Sequence, residues 1–454
     1  MPNKTIENMT TEEIEDFINK HLPVKMLEKA KYGEVFTPSA LIKKMLDKFE
    51  SSVWTNPDLK WLDPCCGTGN FLIHIYQRLM LGLQKWMPNE AKRSAHIIEN
   101  MLYMVELNPK NCNICRKVFG PNANIVCSDF LLDKPFFLNK TKNNKNITEF
   151  DCIIGNPPFQ DDNTTGGSGG KSKLYERIFL KSMTLLNDHG YLSFLVPDNM
   201  LSGNGNVGYN TLIKYNVQFV SFNKEIQTFF PKIQQYICYF LLQKKKPGIT
   251  TIENTDGDKF NTQLLDRPVN PVRNWSAYVE KLLKTYVVNE KNNAVYNRGK
   301  QLSLYNGTKY SVIYTSSKKI RTNKLELAPG INIKKAVIFA ISPKLEFEMD
   351  YTGKYGVGPN TFYIPFNSVF QGRKLNAFLK SEHYSVMALA CKTSRQFLKI
   401  GFIEHLNLRK IMDTNDTNKG SKSNKGNKGT TATKRNKTNQ INKSNKTRKN
   451  KQMN

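Results

Sequence analysis

Between Asp151 and Phe159 the sequence reads Asp-Cys-Ile-Ile-Gly-Asn-Pro-Pro-Phe, and its last four residues are the ones equipped for chemistry. The Asn156 amide oxygen and the Pro157 carbonyl are hydrogen-bond acceptors, and Phe159 adds a flat apolar face. Pro157 and Pro158 fix their own φ angles and push each preceding residue toward extended geometry, so both acceptors sit on a stiff scaffold. Such a set suits a planar group that bears an exocyclic NH2. By itself the tetrapeptide suits a proline-stiffened turn with a core phenylalanine equally well, and context has to decide.

Presenting those groups requires Cys152, Ile153 and Ile154 to form a strand covered on both faces, stopped by Gly155 and the prolines. In open α/β sheets ligands collect at the carboxyl ends of strands. The same layout recurs upstream. Trp61-Leu-Asp-Pro-Cys-Cys-Gly-Thr-Gly-Asn-Phe71 reads as a short strand, an acidic tip at Asp63, a Gly67-x-Gly69 turn and a helix over Phe71–Leu83. The missing third glycine and the absence of a Lys-Ser/Thr pair argue against dinucleotide and triphosphate folds, while the turn permits close approach to an amino acid moiety. Met101–Val105 is a second apolar strand, ending at Glu106, whose carboxylate can accept both hydroxyls of a ribose; Gln84–Asn100 inserts an extra helical segment before it. Ala123–Cys127 is a third, followed by Ser128, Asp129 and Phe130, an acceptor for an adenine amino group beside an aromatic ring. Taken singly, Glu106 and Asp129 read as caps. Four strands in order, each ending in a polar residue of a suitable type, point to one site.

Flanking elements complete the frame. Thr10–Glu13 reads as a capping box with Ile14, Phe17 and Ile18 on one helical face. Leu41, Ile42, Met45, Leu46 and Phe49 mark an amphipathic helix with Thr37 or Ser39 near its cap. Gln160–Lys173 is too glycine-rich to be regular and is expected to be a mobile loop at the mouth of the site, with Lys171 and Lys173 meeting phosphate. Leu174–Leu186 is helical, and Gly190–Pro197, Val217–Phe222 and Tyr236–Gln243 complete a doubly wound sheet. After Lys244–Ile249 the pattern changes to short strands, tyrosines and lysines as far as Met412, as expected of a surface that tracks a nucleic acid. Asp413–Asn454 is Lys/Asn/Thr/Gly low complexity and is expected to be disordered.

Composition agrees. The net charge is +29, and Asp413–Asn454 holds twelve Lys and Arg against two Asp, which leaves +19 on the body and points to a polyanionic partner. Biased Lys/Asn usage contributes to that excess. Mean hydropathy is −0.51, and no run approaches the roughly 20 apolar residues of a membrane span. The start also lacks the layout of a signal peptide, so an intracellular, cytoplasmic protein is expected. Eight cysteines in apolar settings fit reduced thiols. Cys112-x-x-Cys115 has no second ligand pair at metal spacing, so no metal is expected.

Asn156-Pro-Pro-Phe159 resembles the catalytic motif of the S-adenosylmethionine-dependent DNA methyltransferases that methylate amino groups, in particular the adenine-N6 group of the gamma class, where cofactor segment, catalytic motif and recognition region follow in that order. The resemblance spans residues 31–243. It implies an α/β fold: a doubly wound, seven-stranded methyltransferase sheet in residues 1–253, a mixed α/β target-recognition region in 254–412 and a disordered basic tail in 413–454. Asn156, Pro157, Pro158 and Phe159 match the catalytic motif. Thr37 matches the threonine of the Gly-x-Val-x-Thr-Pro segment that packs on the methionine part of the cofactor. Asp63, Cys65, Gly67, Gly69, Glu106, Asp129 and Phe130 fall at cofactor positions, with Cys65 and Thr68 departing from the usual Ala and Ser. Phe230, before Pro231, matches the residue that sandwiches the target base against Phe159. The implied reaction moves a methyl group from S-adenosyl-L-methionine to N6 of an adenine flipped out of double-stranded DNA, in a restriction-modification setting that admits a separately encoded restriction endonuclease as partner. Cytosine-N4 enzymes usually carry Ser at the Asn156 position. Enzymes that methylate a protein glutamine or an RNA adenine share Asn-Pro-Pro-aromatic, and a catalytically silent DNA-binding subunit is a third alternative.

Overall fold

The computed structural model describes residues 36–132, 146–159, 173–203, 206–231, 235–298, 302–341, 344–392 and 398–413, with a few isolated positions besides. Most of the capping box at Thr10–Glu13, the glycine-rich stretch 160–172 and everything beyond Asp413 lie outside the described residues.

The main sheet is built from β1 (Trp61–Asp63), β2 (Leu102–Glu106), β3 (Asn124–Cys127), β4 (Phe150–Gly155), β5 (Leu186–Pro197), β6 (Asn216–Ser221), β7 (Ile237–Gln243), β8 (Thr250–Glu253) and β9 (Lys259–Thr262). Their order across the sheet is β9-β8-β6-β7-β5-β4-β1-β2-β3. The sheet thus has nine strands where seven are expected, and it runs on to Thr262 rather than ending before residue 254. The two additional strands form an antiparallel hairpin whose first strand lies parallel to β6. Both strands are short and mostly polar; β8 alternates buried with half-buried residues and β9, at the sheet edge, is largely exposed, so they carry little of the apolar signal that marks buried strands. Strands β1 to β5 are mutually parallel where they pair, with Trp61 opposite Leu102 and Cys152, while β7 is antiparallel to both β5 and β6.

Alternation along each strand sorts side chains to opposite faces. Trp61, Cys152 and Ile154 enter one apolar cluster; Leu62 and Ile153 enter the other. On the first face lie α1 (Ser39–Leu46), α2 (Asn70–Gly82) and α4 (Pro109–Phe119); on the second lie α5 (Leu174–Leu185) and α6 (Val207–Leu212). Burying each large aliphatic side chain contributes about 1.5–3 kcal/mol, so two covered faces fix the sheet's register. The segment between α2 and β2 holds α3 (Glu90–His96), capped by the Asn89 side chain, and a π-helical turn at Ile97–Met101, in line with the inserted helical stretch expected there. Helix α1 starts at Pro38 without a side-chain cap, so neither Thr37 nor Ser39 plays that part.

The C-terminal half is a mixed α/β assembly. Strands β10 (Val295–Asn297), β13 (Lys335–Phe339), β14 (Phe347–Asp350) and β16 (Thr361–Pro365) form one antiparallel sheet, and β11 (Tyr310–Ile313), β12 (Lys319–Thr322) and β15 (Gly356–Val357) a smaller one. Helices α8 (Ala277–Tyr286), α9 (Val369–Leu379) and α10 (Glu382–Ala390), beyond α7 (Glu225–Thr228) in the first half, pack on the larger sheet. Among the described residues no helix is long and apolar enough to cross a membrane.

Candidate active site

At the carboxyl end of β4 the apolar run stops at Gly155, where a side chain is excluded: a Cβ would stand 2.7 Å from Asp63 Oδ1. Next comes Asn156, half-buried, whose Nδ2 donates to Thr37 Oγ1 at 3.1 Å. The Thr37 carbonyl in turn accepts from Asn70 Nδ2 at 2.5 Å. Thr37 is buried, and its hydroxyl serves Asn156 rather than α1, which is why it does not cap that helix. Pro157 is buried; Pro158 and Phe159 are half-buried. The Phe159 ring meets Tyr175 edge-on, with centroids 6.3 Å apart, and the Tyr175 hydroxyl donates to Asn199 Oδ1 at 2.9 Å. Asn70, Tyr175 and Asn199 were not singled out from sequence; an asparagine directly after a glycine turn is the one signal that marked any of them.

Beside this motif three acidic side chains collect at the ends of β1, β2 and β3. Asp63 is buried; its Oδ1 accepts from the Cys65 N–H at 3.1 Å, and its Oδ2 has no hydrogen-bond partner. Burial first, and then the nearby Glu106 charge, lift its carboxyl from an ordinary 3.8 to about 8 against the opposing Cys65 hydrogen bond. Glu106 accepts from the Gly67 N–H at Oε2 (2.8 Å) and from the Asn108 N–H at Oε1 (2.7 Å). Asp129 Oδ1 accepts from the Leu131 N–H at 2.8 Å. Cys65 lies among the three, its thiol pushed well up by burial and by the charges of Asp63, Glu106 and Asp129.

The glycine turn has two distinct reasons for glycine. Gly67 has φ +56° with nothing within 4 Å of a would-be Cβ, leaving open space above the turn, whereas Gly69 has φ +89° and would press a Cβ to 2.8 Å from Phe119 Cε2. Cys112 and Cys115 pack behind the turn: Cys115 Sγ lies 3.5 Å from the Gly67 carbonyl and 3.9 Å from Cys66 Sγ, and Cys112 Sγ lies 3.5 Å from the Glu106 carbonyl. Among the described residues no three His, Cys, Asp or Glu side chains converge so as to hold a metal ion.

Thr37, Asp63, Cys65, Gly67, Glu106, Asp129 and Asn156 are therefore drawn together by hydrogen bonds or mutual charge. Two aromatics are placed differently. Phe130 is buried, with the Lys181 ammonium 5.1 Å from its ring centroid and hydrogen-bonded to its carbonyl. Phe230 is 4% exposed within the core, while its neighbour Phe229 is half-buried.

Residues 16–215 match the family model described as N-6 DNA Methylase. An "Uncharacterized adenine-specific methylase" of Mycoplasma pneumoniae is 28% identical over 323 residues, covering 54% of this chain and 75% of that protein. Modification methylase CviBIII of Paramecium bursaria Chlorella virus NC1A is 29% identical over 182 residues, covering 38% of this chain and 40% of its own, so the match spans less than half of that relative. Among solved structures, the type IIL restriction-modification enzyme MmeI in complex with DNA aligns with a TM-score of 0.54 at 11% identity, over 83% of this chain and 68% of that one. At that identity the likeness speaks for the fold, and it extends beyond the main sheet into the C-terminal half.

Proposed function

We propose that this chain, whose residues 16–215 match the N-6 DNA methylase family model, transfers a methyl group to N6 of adenine in double-stranded DNA, as the modification component of a restriction-modification pair. The Asn156–Thr37 hydrogen bond is the observation that carries this reading. An N6 amino group is a poor nucleophile because its lone pair is delocalised into the ring. Thr37 fixes the donor end of the Asn156 amide, so a substrate amino group meets the oxygen end, with the Pro157 carbonyl as the second acceptor. Accepting both amino protons draws the nitrogen toward tetrahedral geometry as it attacks, and no protonatable base is required at that moment. Phe159, backed by Tyr175, offers the face on which an extruded base stacks; flipping that base costs a few kcal/mol. Phe230 stays in this proposal as the residue before Pro231, and Phe229 is the more exposed ring beside it.

The residues around Asp63 fit S-adenosylmethionine. A buried, unpartnered carboxyl oxygen suits a cationic ligand, the open space above Gly67 admits a close approach, and Glu106 and Asp129 offer oxygens to ribose hydroxyls and an adenine amino group. Gly69 serves the turn, Cys65 precedes it, and Phe130, buried behind Asp129, stays in this proposal as a cofactor-binding residue. Bound there, the cofactor supplies a methyl group made electrophilic by its sulfonium. The body's surplus positive charge favours a nucleic acid over a protein glutamine as substrate.

Tritiated S-adenosylmethionine incubated separately with duplex DNA, structured RNA and release factor tests this. Label recovered as N6-methyladenine from DNA is expected. Label in RNA or glutamine, or cofactor binding without any transfer, overturns it.

A further inference from the structure

Asn70 opens α2 directly after the Gly67-x-Gly69 turn, yet it leaves its own helix uncapped. Gly69 stands at the N-cap, and α2 starts without a side-chain cap. An asparagine at a helix start ordinarily accepts from that helix's free N–H groups. Here the residue is 6% exposed, its Nδ2 donates to the Thr37 carbonyl at 2.5 Å, and its Oδ1 is buried with no hydrogen-bond partner. An orphaned polar atom in the interior is destabilising. A small apolar side chain would fill the place without that oxygen, so what distinguishes the asparagine is the donor it offers Thr37.

Thr37 lies in the segment that enters α1. It is 4% exposed, and its hydroxyl accepts from Asn156 Nδ2 at 3.1 Å. A carboxamide keeps nearly the same shape with its two ends exchanged, so hydrogen bonding selects which end faces the substrate. The Thr37 hydroxyl makes that selection while it stays within reach of Nδ2. A capping bond does not secure it, because α1 begins at Pro38 without one. Asn70 does secure it, by holding the carbonyl of the same residue. The chain Asn70–Thr37–Asn156 thus ties the glycine turn after β1 to the tip of β4. Resting on the function proposed above, we infer that Asn70 is a positioning residue for methyl transfer: through Thr37 it keeps the Asn156 amide oxygen, rather than the NH2, turned to the substrate amino group.

The test is a cycle of substitutions in the full chain, read as single-turnover methyl transfer into unmethylated genomic DNA at saturating S-adenosylmethionine. Asn70→Ala is expected to slow transfer about tenfold, short of the roughly hundredfold that an ångström of misplacement can cost, with DNA affinity within about twofold of wild type. In a Thr37→Ser background, which keeps the hydroxyl, Asn70→Ala should cost the same factor. In a Thr37→Val background, already slow, it should cost nothing further, because residues that act through one contact are non-additive. A loss equal in all three backgrounds marks a packing role and overturns the proposal, as does a rate for Asn70→Ala within about twofold of wild type. Should Asn70→Ala fail to fold, Asn70→Asp gives a second reading. A protonated carboxyl donates to the Thr37 carbonyl and an ionised one repels it. The rate relative to the parent chain at the same pH should therefore fall as pH rises through that carboxyl's pKa, which burial raises, and should stay flat in the Thr37→Val background. A ratio flat with pH in both backgrounds overturns the proposal. Each overturning result leaves the methyltransferase reading intact, because the wild type still labels DNA; a wild-type chain that labels no DNA removes both.

Discussion

Asp63 carries the clearest consequence at the scale of single residues. The unfolded chain releases its proton near 3.8, and the folded chain holds it to about 8. Between those values the folded state binds more protons, so this group's contribution to stability is complete below about pH 4 and is lost as pH rises toward 8. A cationic ligand favours the ionised form, so cofactor binding should expel that proton. S-adenosylmethionine affinity is then expected to rise between pH 6 and 8, by about tenfold per pH unit at most, and to be weak and flat with pH in Asp63→Asn; calorimetry at several pH values decides. Asn156→Ala should lower single-turnover transfer by about 10²–10³-fold, the usual weight of one preorganised polar contact, with cofactor binding retained. Turnover near wild type would refute the role given to Asn156.

At the scale of elements, the glycine turn between β1 and α2 predicts two different costs. Gly67→Ala meets open space and suffers backbone strain alone, about 1–2 kcal/mol. Gly69→Ala adds a clash with the Phe119 ring and should cost about 2–4 kcal/mol, read from urea unfolding. Equal costs would mean that α4 yields to the added methyl. The strands were readable because buried parallel strands are written as apolar runs: Leu102–Glu106 and Phe150–Gly155 fall within a residue or two of their expected limits. The β8–β9 hairpin was not, because short strands with half-buried Thr251 and exposed Lys259 carry no such run. The order of the polar strand ends was likewise legible, whereas the Asn156–Thr37 bond, between residues 119 positions apart, was not.

At the scale of the whole molecule, the C-terminal half has its own keystone. Lys335 and Asp350 are buried and joined at 2.8 Å, and Asp350 also accepts from the N–H groups of Thr352 (3.2 Å), Gly353 (2.9 Å) and Tyr355 (3.1 Å). Removing one partner strands a buried charge, so Asp350→Ala should destabilise the protein by about 3–5 kcal/mol without altering cofactor affinity in the folded fraction. A loss below about 1 kcal/mol would show that water reaches Lys335. Asp198, lifted mainly by burial from 3.8 to about 7, adds to Asp63 in the same direction. Stability of the ligand-free protein is therefore expected to decline between about pH 4 and 8, with a smaller decline in Asp63→Asn, measured by thermal unfolding.

The residues and their succession along the chain were set by the sequence alone: Asn156-Pro-Pro-Phe159 at one strand end, with Asp63, Glu106 and Asp129 at three others, all follow from local patterns of apolar runs, glycines and prolines. Tertiary structure decided what lies beside what. It gave the Thr37 hydroxyl to Asn156 rather than to a helix cap, buried Phe230 and left Phe229 half-exposed, and carried Arg273 to Asp198. Those outcomes depend on contacts between distant segments, and no local periodicity encodes them.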